Sequence, residues 1–189
     1  VINAGTLQIG EFGPSGSVVG AITNNATLIF ARDGEYTIRS TNPVAGSGRI
    51  IVNGTGELSV RGTSFTTTNL VINAGSVVFN ANALGVGTVN LGNSEGGSEP
   101  AFFRYADNNA PTFTNPVVLG TTTGQLSIKG STEGVPGTLT FAGPITGQNS
   151  FTIENQGSTG SGVNTNGTRM LFSGSINNAG RLNYVGLNG

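Results

Sequence analysis

Val1-Ile2-Asn3-Ala4-Gly5-Thr6-Leu7-Gln8-Ile9 returns seventy positions later as Val71-Ile72-Asn73-Ala74-Gly75-Ser76-Val77-Val78-Phe79. The first five residues are identical, and the next four keep the pattern. A looser Asn-x-Gly-x-Leu signal stands at Asn53-Gly54-Thr55-Gly56-Glu57-Leu58 and at Asn178-Ala179-Gly180-Arg181-Leu182. Reuse of a short phrase within one chain points to a repeat architecture. Each unit is too small to close a core alone and has to stack on its neighbours.

Working outward from that phrase, short apolar alternations recur along the whole chain between Gly, Asn, Ser and Thr. They include Thr27-Leu28-Ile29-Phe30, Tyr36-Thr37-Ile38, Arg49-Ile50-Ile51-Val52, Glu57-Leu58-Ser59-Val60 and Leu70-Val71-Ile72. Further along come Ala101-Phe102-Phe103-Arg104-Tyr105, Gln125-Leu126-Ser127-Ile128, Thr138-Leu139-Thr140-Phe141, Ser150-Phe151-Thr152-Ile153, Arg169-Met170-Leu171-Phe172 and Arg181-Leu182-Asn183-Tyr184. Apolar residues at i and i+2 put two side chains on one face of a strand. No segment sustains a 3.6-residue period, so helix is not expected. Strand starts a dozen or about twenty residues apart suit two or three short strands per coil. Stacked about 4.8 Å apart, such coils align their inward residues into continuous ladders. Leu7, Leu28, Leu58, Val77, Leu126, Leu139, Phe141, Phe151 and Phe172 are expected to point inward. Gly and Asn supply the corners.

The fold expected is therefore all-β: a single parallel β-helix, or solenoid, over residues 1–189, with repeat phrases starting near 1 and 71. A β-sandwich or jelly roll is the alternative, because regular short strands also suit those folds and Asp33-Gly34 and Asn53-Gly54 are hairpin dipeptides.

Composition agrees. Thirty-two glycines in 189 residues, 9 % charged and 35 % hydrophobic residues describe a folded, turn-rich chain. A disordered one would carry more charge and less to bury. The glycines lack a collagen period. A net charge of −1, with the arginines scattered, leaves no footprint for nucleic acid. No apolar run is long enough for a membrane span, so no membrane insertion by this chain is expected. The sequence starts at Val1 without a leader-like segment, as expected of a processed chain or a piece of a longer one.

The phrase Val1–Gly10 resembles the core signature of the autotransporter-associated β-strand repeat of large bacterial surface proteins. The resemblance runs on through Ile22-Thr23-Asn24-Asn25-Ala26-Thr27-Leu28-Ile29-Phe30, Val44-Ala45-Gly46-Ser47-Gly48 and Gly54–Val60 to the second copy at Val71. It weakens beyond Gly92. It implies export, a right-handed β-helical stalk and an extracellular or cell-surface location. The chain departs from that family in lacking a membrane barrel of alternating strands.

Chemistry is sparse. His and Cys are absent, which removes the usual general base, the thiolate and the commonest zinc ligands. Two carboxylates flanking a cleft are needed for glycoside hydrolysis. The sequence-local candidates, Asp33 with Glu35 and Glu95 with Glu99, read as solvated turn charges. Asp107, Asn108 and Asn109 could offer calcium only the oxygens of a polar loop. The Gly-rich run Gly157–Gly162 lacks the Lys and helix of a phosphate cradle. The sequons at Asn25, Asn53 and Asn166 are expected by chance in an Asn/Thr-rich chain. No metal and no cofactor are expected.

One aromatic group, Phe102, Phe103, Tyr105 and Phe113, reads either as a glycan or end-contact platform or as an interior ladder. The function expected is a non-catalytic structural subunit of an extracellular assembly, a stalk or filament. A surface adhesin or carbohydrate-binding module is the alternative, and a polysaccharide-acting enzyme a distant third. The partners expected are further copies, head to tail, and extracellular glycans or surface proteins.

Overall fold

The computed structural model describes residues 1–66, 69–107, 109–131, 138–155 and 169–186; the expectations at Asn108, 157–162 and 166–168 lie outside them. The described residues form twenty strands and no helix. Every strand pair is parallel, so the chain is a parallel β-helix and not a sandwich.

The cross-section has three sides. Sheet A has eight strands: Thr6–Gly13, Thr27–Arg32, Arg49–Val52, Leu70–Ile72, Val89–Leu91, Val117–Leu119, Ile145–Gly147 and Ile176–Asn178. Sheet B has seven: Tyr36–Ile38, Glu57–Val60, Gly75–Phe79, Ala101–Tyr105, Leu126–Lys129, Phe151–Glu154 and Leu182–Val185. Side C is split. Ile22–Thr23 pairs with Val44–Ala45, whereas Thr112–Phe113, Thr138–Phe141 and Arg169–Phe172 form a separate sheet. Coils with a strand on every side visit A, B and C in turn, as Arg49–Val52 and Val117–Leu119 each lead on to sheet B. Asp33-Gly34 and Asn53-Gly54 turn the A-to-B corner and do not close hairpins.

Coil length changes partway. Equivalent sheet A positions Leu7, Leu28, Ile50, Leu70 and Val89 lie 19–22 residues apart, while Val89, Val117, Ile145 and Ile176 lie 28–31 apart. The seventy residues between the two copies of the opening phrase are not a whole number of the 19–22-residue coils, so the copies fall at different corners. The first crosses the C-to-A corner, with Ile2 bridging Asn24 and Thr6 entering sheet A. The second crosses from A to B, with Ile72 ending one strand and Gly75 starting the next. The phrase thus encodes strand, corner, strand, whichever corner of the triangle is being turned.

Inward residues stack as expected. One column runs Leu7, Leu28, Ile50, Leu70, Val89, Val117, Ile145, Ile176; another runs Tyr36, Leu58, Val77, Phe103, Ile128, Ile153, Tyr184. Leu28, Leu58, Val77, Leu126, Leu139, Phe141 and Phe151 are buried; Leu7 and Phe172, in the end coils, pack on the core half-buried. Burying a large aliphatic or aromatic side chain contributes about 1.5–3 kcal/mol. The ladder is thus the principal source of stability.

Candidate functional site: the corner cleft at Phe12

The four aromatic residues singled out in the sequence do not share a surface. Phe103, Tyr105 and Phe113 are interior, at 2 %, 0 % and 7 % exposure. Phe79 stacks on Phe103 at 4.2 Å and meets Phe113 edge-on at 4.7 Å; Phe113, Phe141 and Phe172 continue the row along side C. Strand parity is the reason: Phe103 and Tyr105 alternate with Phe102, so only Phe102 points outward. Its face is already covered by the Lys129 ammonium, 4.1 Å from the ring centroid, which is held in turn by Glu154 at 3.1 Å. A four-ring platform is therefore corrected to an interior ladder plus one capped ring.

Within that ladder the Tyr105 hydroxyl donates to Asn109 oxygens. Burial, then the charge of Asp107, pushes the Tyr105 phenol well above its ordinary value near 10. The unfolded chain releases that proton near its ordinary value, while the folded chain keeps it. Stability from this group is therefore complete below about pH 10 and declines above it. Urea midpoints at about pH 9 and pH 11 are expected to fall more in the parent than in Tyr105→Phe.

The largest departure from ladder regularity is in the first strand. Ile9 opposes Phe30 and Gly13 opposes Arg32, so Gly10, Glu11 and Phe12 together face Ala31 alone. Phe12 already has the outward parity of a strand whose Leu7 and Ile9 point in, and the bulge bends the chain just where its ring emerges. Phe12 takes a left-handed backbone, φ 56°, and stands 59 % exposed. For a bulky residue that conformation costs roughly 1–2 kcal/mol. Gly10 makes the bulge possible, since a Cβ there would lie 2.5 Å from the Ala31 carbonyl oxygen.

Phe12 forms one wall of a cleft along the A-to-B corner. One compartment, of about 390 Å³, is lined by Phe12, Asp33, Asn53, Thr55, Ala74 and Glu99. A second, of about 240 Å³, shares Phe12, Asn53, Ala74 and Glu99 and adds Asn73, Asn93 and Thr122. These volumes suit small ligands. Asn53 and Asn73 occupy the same corner position in successive coils, and Asn73 Nδ2 donates to Asn53 Oδ1 at 3.3 Å. The cleft lining carries two carboxylates and, among the described residues, no Lys or Arg.

The far wall, the loop between Leu91 and Ala101, is held by the next coil. Thr122 Oγ1 donates to the Gly97 and Glu99 carbonyls at 3.0 and 3.3 Å, Thr123 Oγ1 to Gly97 at 3.0 Å, and Thr121 Oγ1 to Ser94 at 2.9 Å. Asn149 Nδ2 then donates to the Gly120 and Thr122 carbonyls behind that triplet. Of the acidic pairs considered from sequence, the fold takes one member of each, Asp33 and Glu99, into one cleft. Glu35 turns away and accepts from Thr37 Oγ1 at 3.0 Å. Phe12 and the Asn positions carried no strand signal. The clue was an aromatic at even spacing to nothing, bracketed by Gly10 and Gly13-Pro14. No group of three or more carboxylates that could hold a metal occurs among the described residues.

A second, shallower groove of about 490 Å³ follows the split in side C, lined by Phe65, Leu84, Val86, Pro111 and Phe113 among others. Asn115 spans the split, with Nδ2 donating to the Gly85 and Gly87 carbonyls at 2.9 Å each.

No family model matches the chain, and no solved structure matches it. Over 52 residues, 28 % of the chain, it is 46 % identical to the adhesin BmaC autotransporter of Brucella suis biovar 1 (strain 1330). That stretch is about 2 % of the adhesin's own length. A parallel β-helix, similar over part of its length to an autotransporter adhesin, is what the fold and the comparison together establish.

Proposed function

We propose that this chain is a segment of a non-catalytic, cell-surface β-helical stalk whose outer corner presents adhesive contacts. The single observation that carries this reading is the uninterrupted inward column through all eight sheet A strands. A core of that shape gives length and stiffness, and leaves the outward positions free for contact. The local similarity to an autotransporter adhesin supports a surface setting. The test is labelling of intact source cells with antibody raised against the purified chain. Labelling of intact cells is expected; labelling only after lysis would overturn the surface reading.

A further inference from the structure

We propose that the corner cleft at Phe12 binds a neutral oligosaccharide, with the Phe12 ring as its stacking platform. The inference rests on the adhesive reading above and names the ligand class. Four features of the cleft point the same way.

The first is the ring itself. An aromatic side chain on a bulge, in a left-handed backbone conformation that bulky side chains rarely adopt, is more than half exposed at the mouth of a cleft. Backbone strain of this kind is concentrated at ligand sites, because folding alone gains nothing from it. A flat apolar ring beside water suits the C–H face of a pyranose.

The second is the polar lining. Asp33 and Glu99 accept hydrogen bonds, while Asn53, Asn73, Asn93 and Thr55 can both donate and accept. Sugar hydroxyls, which also do both, match such a set. Hydroxyl donation to a carboxylate is about twice as strong as a neutral bond.

The third is charge. Two carboxylates without a lining cation repel sialic and uronic acids, so the ligand is a neutral sugar. The last is rigidity. The Thr121-Thr122-Thr123 triplet fixes the Glu99 loop, and the Asn53–Asn73 pair fixes the floor, so little ordering is left for the ligand to impose.

Saturation-transfer NMR on the full chain tests this, using lactose, diacetylchitobiose and mannotriose as neutral probes and 3′-sialyllactose as the acidic one. Transfer to at least one neutral probe is expected, with none to the sialylated one. Phe12→Gly keeps the left-handed backbone and should fold with an unchanged or higher melting temperature. It is expected to weaken the neutral probe by about ten-fold, the scale of one lost aromatic contact. Glu99→Gln should weaken it less. Silence from all three neutral probes, equal binding by Phe12→Gly, or equal transfer to sialyllactose would each overturn the proposal. So would a Lys-rich peptide that binds in competition with the sugars and more tightly, which would make the cleft a site for basic protein segments. Antibody labelling of intact cells is independent of these arms: labelled cells with a silent cleft would leave the stalk standing and remove the sugar site.

Discussion

Phe79→Ala is expected to lower unfolding free energy by about 3–5 kcal/mol, the range for deleting a buried ring. The side chain is fully buried, and it is the residue at which two faces of the helix meet. Its ring stacks on Phe103 from the next coil of sheet B and takes edge contacts from Tyr105 at 5.7 Å and Phe113 at 4.7 Å. Each such pair adds roughly 0.5–1.5 kcal/mol beyond area burial. Truncation therefore removes a junction between sheet B and side C as well as one rung of a column. Side C is already split just there, so the surroundings have few strand bonds with which to close the cavity. Val118→Ala, an outward position in sheet A, is the control and should stay within about 0.5 kcal/mol of the parent. Urea unfolding followed by circular dichroism measures both. A loss under about 1 kcal/mol for Phe79→Ala would mean that the junction does not hold the coils together.

The parts of this fold that could be read from sequence are those where two apolar residues alternate. Sheet B illustrates it: Tyr36–Ile38, Glu57–Val60 and Ala101–Tyr105 have the bounds expected. Side C was legible only in part: Thr138–Phe141 and Arg169–Phe172 have the bounds expected, and the shorter strands carried no signal. Ile22–Thr23, Val44–Ala45 and Thr112–Phe113 are two residues long and show one inward side chain each, too little for a period. Ile145–Gly147 and Ile176–Asn178 were missed for the same reason, since a single Ile among Gly, Pro and Asn reads as loop. Those strands exist because the coil beneath offers a free edge at that position. The pairing partner, and not the segment's own pattern, makes them strands. The cleft was harder still. Asp33 and Glu99 are 66 residues apart in sequence, and only the register of the coils and the fold of the Leu91–Ala101 loop bring them together. The bulge at which Phe12 emerges beside them depends on which residue opposes Ala31, which no local pattern contains.

Gly54→Ala is expected to be among the most damaging single-methyl changes, at the upper end of the roughly 1–3 kcal/mol of overpacking or beyond it. A Cβ on Gly54 would lie 1.9 Å from the Arg32 carbonyl oxygen, 2.4 Å from its nitrogen and 2.5 Å from its carbonyl carbon. All three are backbone atoms of the coil below, which no rotamer change can move. The coil above is as close: a Cβ on Gly75 would meet the Gly54 carbonyl oxygen at 2.4 Å. The corner between sheets A and B is thus built by stacking backbone directly on backbone, and a methyl group there has to pry two coils apart. Prying also stretches the neighbouring ladder bonds, Asn53 N–H to the Phe30 carbonyl at 2.9 Å and Gly56 N–H to the Arg32 carbonyl at 3.0 Å. Gly13→Ala is the matched control, because a Cβ there meets nothing within 4 Å and the backbone is not left-handed. It should be neutral, or stabilising by a few tenths of a kcal/mol through the unfolded chain. The sequence presents both glycines alike, and Asn53-Gly54 even as a hairpin turn. The coil spacing of about 4.8 Å at a corner, and not turn conformation, is what demands glycine at 54. Thermal melts of the two variants decide it: a Gly54→Ala midpoint as high as that of Gly13→Ala would show that the coils can separate at this corner without loss.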